Sequence, residues 1–168
     1  MIRSQALSPH TLLQGFFGSV VLATLFCVQT AVAEPVCVIS EKANLRKAPS
    51  GDAPISWVVA QFMPLNKIGQ KGIWAQVQDL DGETHWVASS TISSRINCVV
   101  VKTKTAPLRQ AANLRSPAAE IGFADRYTPF KKIDRDGGWI QLQDEYKSKF
   151  WVYETNVWIP VIRARVTF

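Results

Sequence analysis

The chain has 168 residues, 47% of them hydrophobic and 19% charged, and a formal net charge of +6. That mildly basic balance suits an anionic partner such as a carboxylate-bearing peptide or a phosphate surface, or is simply a solvated face. Two histidines and three cysteines in the whole chain leave little material for metal or nucleophilic chemistry.

The N-terminal stretch reads as a leader rather than as fold. MIRSQALSPH carries one Arg and no acid, a mostly apolar run extends from Leu12 to Val32, and Ala31-Val32-Ala33 is the small-x-small pattern that a signal peptidase cuts. The run is nearly long enough to span a bilayer, so an uncleaved anchor is the rival. The clean Ala-Val-Ala end, with Gln14, Gly15 and Gly18 weakening the run, favours a cleavable signal peptide, residues 1–33, cut after Ala33. Cys27 follows a bulky Phe26 and makes no lipobox. The mature chain would then be periplasmic or secreted, with no integral span after cleavage. It loses only Arg3 among the charged residues and falls to +5. Export argues against nucleic acid as a partner.

Beyond residue 33 the chain reads as β-structure almost throughout. Val36 to Ile39 and Val99 to Val101 are β-branched runs, Trp57-Val58-Val59 and Ile73 to Val77 have strand character, and no apolar window has a helical period. Turn signals punctuate at short intervals, at Ala48-Pro49-Ser50-Gly51, Met63-Pro64, Lys71-Gly72, Asp81-Gly82, Thr128-Pro129 and Asp136-Gly137-Gly138. Many short strands with such punctuation indicate small barrels or sandwiches.

The chain also repeats itself. GIWAQVQDLDGETHWV (72–87) and GGWIQLQDEYKSKFWV (137–152) share seven of sixteen positions, and Pro64/Pro129, Lys67/Lys132 and Ile68/Ile133 match at the same offset. One repeat covers 36–95 and the other 98–160, joined by a segment too short for a flexible linker. Residues 161–168 could form a last strand, a partner-binding edge or a frayed end.

Two cysteines survive processing, and an exported pair is a disulfide candidate first. Cys37 opens the first repeat and Cys98 lies just past its end. A small barrel brings such ends together, so the expected bridge closes repeat 1 on itself. The chain-entropy model assigns such a loop about 4 kcal/mol.

These motifs resemble the bacterial SH3 (SH3b) family. The resemblance rests on Ala43-Asn44-Leu45-Arg46-Lys47-Ala48-Pro49, Pro64-Leu65, Gly72-Ile73-Trp74 and Asp81-Gly82-Glu83-Thr84-His85-Trp86-Val87. In the second copy it rests on Thr128-Pro129-Phe130, Gly137-Gly138-Trp139 and Phe150-Trp151-Val152. His85 and Phe150 replace the family's Gly before the second Trp. The resemblance implies an all-β chain of two tandem SH3-like barrels. The start of the second copy has two candidates. Ala112-Asn113-Leu114-Arg115 repeats Ala43–Arg46 letter for letter. Arg109 nevertheless lies 20 residues before Pro129, close to the 18 between Arg46 and Pro64, whereas Arg115 lies only 14 before it. Leu108-Arg109 is therefore the expected equivalent.

No catalytic constellation is legible. His85 is the one mature histidine, neither Cys sits in a nucleophile turn, no His/Cys/Asp spacing suits a metal, and Asp79, Asp81, Asp134 and Asp136 fall in turns where Asp is expected. The expectation is a binding module without enzyme activity, metal or cofactor. Strand alternation turns Ala75/Val77 and Ile140/Leu142 inward and puts Trp74, Gln76 and Gln78, with Trp139, Gln141 and Gln143, on the other face. Those tryptophans are an aromatic platform for a peptide or glycan, or a lid over the hairpin or the inter-barrel contact. The faces of Trp86 and Trp151 depend on a register the sequence leaves open, and Trp57 could be exposed or in the core. In the resembled family the Arg at positions 46 and 109 mostly stabilises a turn and sometimes contacts ligand. Candidate ligand residues are thus Trp74, Gln76, Trp139, Gln141, Arg46 and Arg109. The resemblance implies peptidoglycan peptide or a cell-envelope protein as partner. The alternative is a periplasmic adaptor, assembly or structural accessory protein with no wall ligand.

Overall fold

The computed structural model describes residues 33–160. Residues 1–32, where nearly all of the expected signal peptide falls, and the expected tail strand at 161–168 lie outside the described residues. No described helix is long and apolar enough to cross a membrane.

Fourteen strands form two sheets. The first sheet holds β1 (Glu34–Val38), β2 (Lys42–Arg46), β3 (Ile55–Ala60), β4 (Pro64–Lys71), β5 (Trp74–Gln78), β6 (Thr84–Ala88) and β7 (Ile92–Ser93). The second holds β8 (Cys98–Val101), β9 (Thr105–Arg109), β10 (Ala118–Asp125), β11 (Pro129–Asp136), β12 (Trp139–Gln143), β13 (Lys149–Tyr153) and β14 (Val157–Trp158). Single 3-10 turns, Ser89–Thr91 and Glu154–Asn156, precede the last strand of each sheet. The strand orders are β3-β2-β6-β5-β4-β1-β7 and β10-β9-β13-β12-β11-β8-β14, the same order shifted by seven. The repeated sequence is therefore a repeated topology, two SH3-like β-barrels in tandem.

Alternation builds each core. β5 and β12 both read half-buried, buried, half-buried, buried, half-buried, with Ala75/Val77 and Ile140/Leu142 inside. Leu45, Val59, Leu65 and Val87 complete the first core, and Leu108, Phe130, Phe150 and Val152 the second. β9 has the burial pattern of β2, and Arg109 faces Trp151 as Arg46 faces Trp86. Leu108-Arg109 is thus the structural equivalent of Leu45-Arg46. Leu114, in the segment that repeats ANLR, is 78% exposed.

β8 explains the continuous run Cys98-Val99-Val100-Val101, in which all four residues are buried. Val99 and Val101 enter the second core and Val100 enters the first, so the strand is a wall shared by both barrels. Trp158 of the neighbouring β14 also packs on the first core.

The Cys37–Cys98 disulfide forms, with Cα atoms 6.0 Å apart. It does not close the first barrel on itself, as the spacing suggested. Cys98 belongs to β8, where it pairs with Lys131 of β11, so the bridge staples the first strand of one sheet to the first strand of the other.

Candidate functional site

Four of the six candidate ligand residues fall in an outward row, two on each barrel, with Trp86 or Trp151 between them. Gln76 lies opposite Trp86, and Trp86 lies opposite Arg46. In the second barrel Gln141, Trp151 and Arg109 have the same register. Each of these six residues is half-buried, and each occupies the face opposite the core. The register places Trp86 and Trp151, which the sequence left undecided, in the middle of the rows.

Trp74 and Trp139 lie at the end of β5 and β12 on that same face. Trp74 is opposite Ala88 and Trp139 opposite Tyr153, and the Trp139 and Tyr153 rings meet edge to face at 5.4 Å. Neither tryptophan lies between the barrels in these pairings. Arg46 donates from Nη1 to the carbonyl of Ala53 at 2.6 Å, and Arg109 donates to that of Ser116 at 3.1 Å, both seven residues on. Each arginine therefore ties down the loop after its strand and leaves further guanidinium N–H groups at the surface. The amides of Gln61, Gln70, Gln78, Gln110 and Gln143 hold backbone carbonyls. The side-chain amides of Gln76 and Gln141 bond to no other described residue.

A second cluster has no motif in the sequence to announce it. Where the second barrel buries Phe150 against Phe130, the first buries His85, only 4% exposed. His85 Nδ1 is 2.8 Å from the Ser56 hydroxyl, and Nε2 is 3.3 Å from Asp79 Oδ2. Asp79 Oδ1 accepts the backbone N–H groups of Asp81 and Glu83, both at 2.9 Å. Ser56, Asp79, Glu83 and His85 line a cleft of about 280 Å³ that is closed on one side by Trp57 and Tyr127. Asp79, Glu83 and His85 sit at positions i, i+4 and i+6 of a hairpin, a spacing visible in the sequence, but Ser56 arrives from β3 by long-range pairing.

Tyr127 reaches this cleft from the second barrel. It adopts φ 69°, a left-handed conformation uncommon for an aromatic residue. Its hydroxyl donates to Asp81 Oδ2 at 2.6 Å, and its ring meets Trp57 edge to face at 5.4 Å. Arg126 pairs with Asp81 Oδ1 at 2.6 Å and stacks over the Tyr127 ring. The Tyr127 hydroxyl first, and Asp81 after it, hold the Arg126 guanidinium above its ordinary value.

Residues 40–94 match the family model described as the bacterial SH3 domain. That match lies within the first barrel, and the second barrel repeats the same strand order. No curated protein resembles the chain closely enough to count as a match. Among solved structures, the chain is similar to NlpC2 from Trichomonas vaginalis, with a TM-score of 0.35 and 9% identity over 76% of this chain and 48% of that one. It is similar to an NlpC/P60 family protein from Bacillus cereus, with a TM-score of 0.36 and 11% identity over 76% of this chain and 56% of that one. It is also similar to the endolysin LysPBC5 CBD, with a TM-score of 0.30 and 16% identity over 78% of this chain and 96% of that one. The chain spans about half the length of the first two. At these scores the likeness says nothing of function.

Proposed function

We propose that the protein is an exported, non-catalytic binding module whose two barrels hold peptidoglycan peptide or a cell-envelope protein on their outward rows. The observation that carries this reading is the Gln–Trp–Arg row, built twice at the same register from Gln76, Trp86 and Arg46 and from Gln141, Trp151 and Arg109. Hydrophobic burial does not require that row, since both cores lie on the other side of the strands. Trp74 and Trp139 offer flat apolar area, Gln76 and Gln141 offer a donor and an acceptor each, and the arginines offer fixed guanidinium N–H groups suited to a carboxylate. The net positive charge of the chain favours the same anionic class. A disulfide between the barrels fits an oxidising compartment.

Co-sedimentation of the mature chain with purified peptidoglycan tests the wall reading. The protein is expected in the pellet above the level of a basic control protein. A supernatant-only result would leave the accessory reading, in which a protein partner takes the rows and no wall ligand exists.

A further inference from the structure

We propose that Asp79, Glu83 and His85 of the first barrel bind a divalent transition metal ion of the zinc class, with Ser56 positioning the imidazole. One proton sets the tautomer of His85. The Ser56 hydroxyl donates to the carbonyl of Leu45 at 3.0 Å. It has no second proton, so toward His85 Nδ1 it accepts, and Nδ1 carries the ring hydrogen. In the neutral ring Nε2 is then a bare lone pair aimed at Asp79 Oδ2. Both side chains are more than nine-tenths buried. Two acceptors facing each other in that setting need a cation between them.

The 3.3 Å distance is within hydrogen-bond range and also fits a metal ion between the two atoms. A charge-assisted N–H···O bond draws its atoms to about 2.7–2.9 Å, and the observed separation is 3.3 Å. A tetrahedral ion held at about 2.0–2.1 Å by nitrogen and oxygen sets those two ligands roughly 3.3 Å apart. The Glu83 carboxylate supplies a third ligand, its oxygen within 4.8 Å of the other two ligand atoms. Three protein ligands leave a fourth position open to the cleft, the arrangement zinc adopts where it also takes an exogenous ligand.

The surroundings are those of a built site. Asp79 Oδ1 is fixed by two backbone N–H groups, which leaves Oδ2 for the ion. The Nδ1–H of His85 is given to Ser56, as the second ring nitrogen of a metal-bound His usually is to an acceptor. Asp81 is already neutralised by Arg126, whereas no described Lys or Arg pairs with Asp79 or Glu83. Two uncompensated carboxylates match a divalent charge.

The second barrel is an internal control. Phe150 holds the register position of His85, opposite Leu142 as His85 is opposite Val77. Asp144 keeps the turn-forming role of Asp79, accepting the Ser148 N–H at 2.7 Å. The fold therefore needs the aspartate for its turn and a bulky ring six residues on, and it needs no imidazole. The polar quartet in the first barrel has no structural counterpart to explain it.

The test is titration of the untagged protein with Co²⁺ and then Zn²⁺, read by visible absorption and calorimetry. One Co²⁺ per chain with intense tetrahedral d–d bands, displaced by Zn²⁺, is expected. His85→Phe, which installs the residue of the second barrel, should abolish the bands and keep the β-sheet circular dichroism. Ser56→Ala should weaken affinity by about 10- to 100-fold. Glu83→Gln, on an exposed residue that cannot threaten folding, should weaken it at least about ten-fold. Absence of stoichiometric binding to the wild type would overturn the proposal, and so would unchanged binding in His85→Phe or in Glu83→Gln.

Discussion

Gly138 and Tyr153 show how the two copies of one motif diverged by a matched pair of residues. A Cβ on Gly138 would lie 2.8 Å from the Tyr153 ring. In the first barrel the corresponding residues are Ile73 and Ala88, so the larger side chain sits in the turn before the strand there and on the neighbouring strand in the second barrel. Gly138→Ala should push Tyr153 off Trp139 and destabilise the protein by about 0.5–1.5 kcal/mol, the worth of one aromatic pair. In a Tyr153→Ala background the same substitution should have no effect, and urea denaturation of the four proteins measures the coupling. Equal losses in both backgrounds would mean that the contact is not what excludes a side chain at 138. At this scale the sequence was partly legible. The inward positions Ala75, Val77, Ile140 and Leu142 follow from alternation alone. The His85 cluster was only partly legible, because Ser56 reaches His85 through the pairing of distant strands. Trp86 and Trp151 were hidden because hairpin register is set by turn geometry and by both partner strands together.

Strand β8 carries the joint between the barrels. Its four consecutive buried residues were legible as a strand, but a run buried on both faces does not announce which cores it serves. For the same reason the partners of the disulfide were legible and its place was not. Cys98 lies just past the first repeat and could have ended one barrel or begun the next. The structure puts it at the start of β8, and the bridge therefore encloses the whole first barrel, 61 residues in sequence. Reduction should lower the free energy of unfolding by about 4 kcal/mol in the chain-entropy model. The urea midpoint of the oxidised protein, with and without a phosphine reductant, gives the difference directly. An unchanged midpoint would show that β8 and the Asp81–Arg126–Tyr127 contacts hold the barrels together unaided. The start of the second repeat is an element-scale success of spacing over identity. Distance to Pro129 identified Arg109 as the equivalent of Arg46, while the literal ANLR copy lies in a loop.

Across the whole molecule, two equivalent rows are mounted on barrels that are fixed to each other by a shared strand, a disulfide and the Asp81, Arg126, Tyr127 and Trp57 contacts. Fixed mounting matters for binding, since a ligand that meets both rows gains affinity without ordering a linker. The tandem fold was legible because the repeat preserved turns and core positions together. The use made of the outward faces was less legible, since a half-buried tryptophan looks the same in a sequence whether it covers a hairpin or waits for a ligand. Binding isotherms on purified peptidoglycan for the wild type, Trp74→Ala, Trp139→Ala and the double variant, with melting temperatures measured alongside, separate those two roles. The platform account predicts that each single variant binds at least about ten-fold more weakly. It predicts that the double variant falls to background and that every melting temperature stays within about 5 °C of wild type, a shift that covers the roughly 1.5 kcal/mol at most of the lost Trp139–Tyr153 pair. Undiminished binding by the double variant, or a loss of binding that comes with a fall of many degrees in melting temperature, would contradict it.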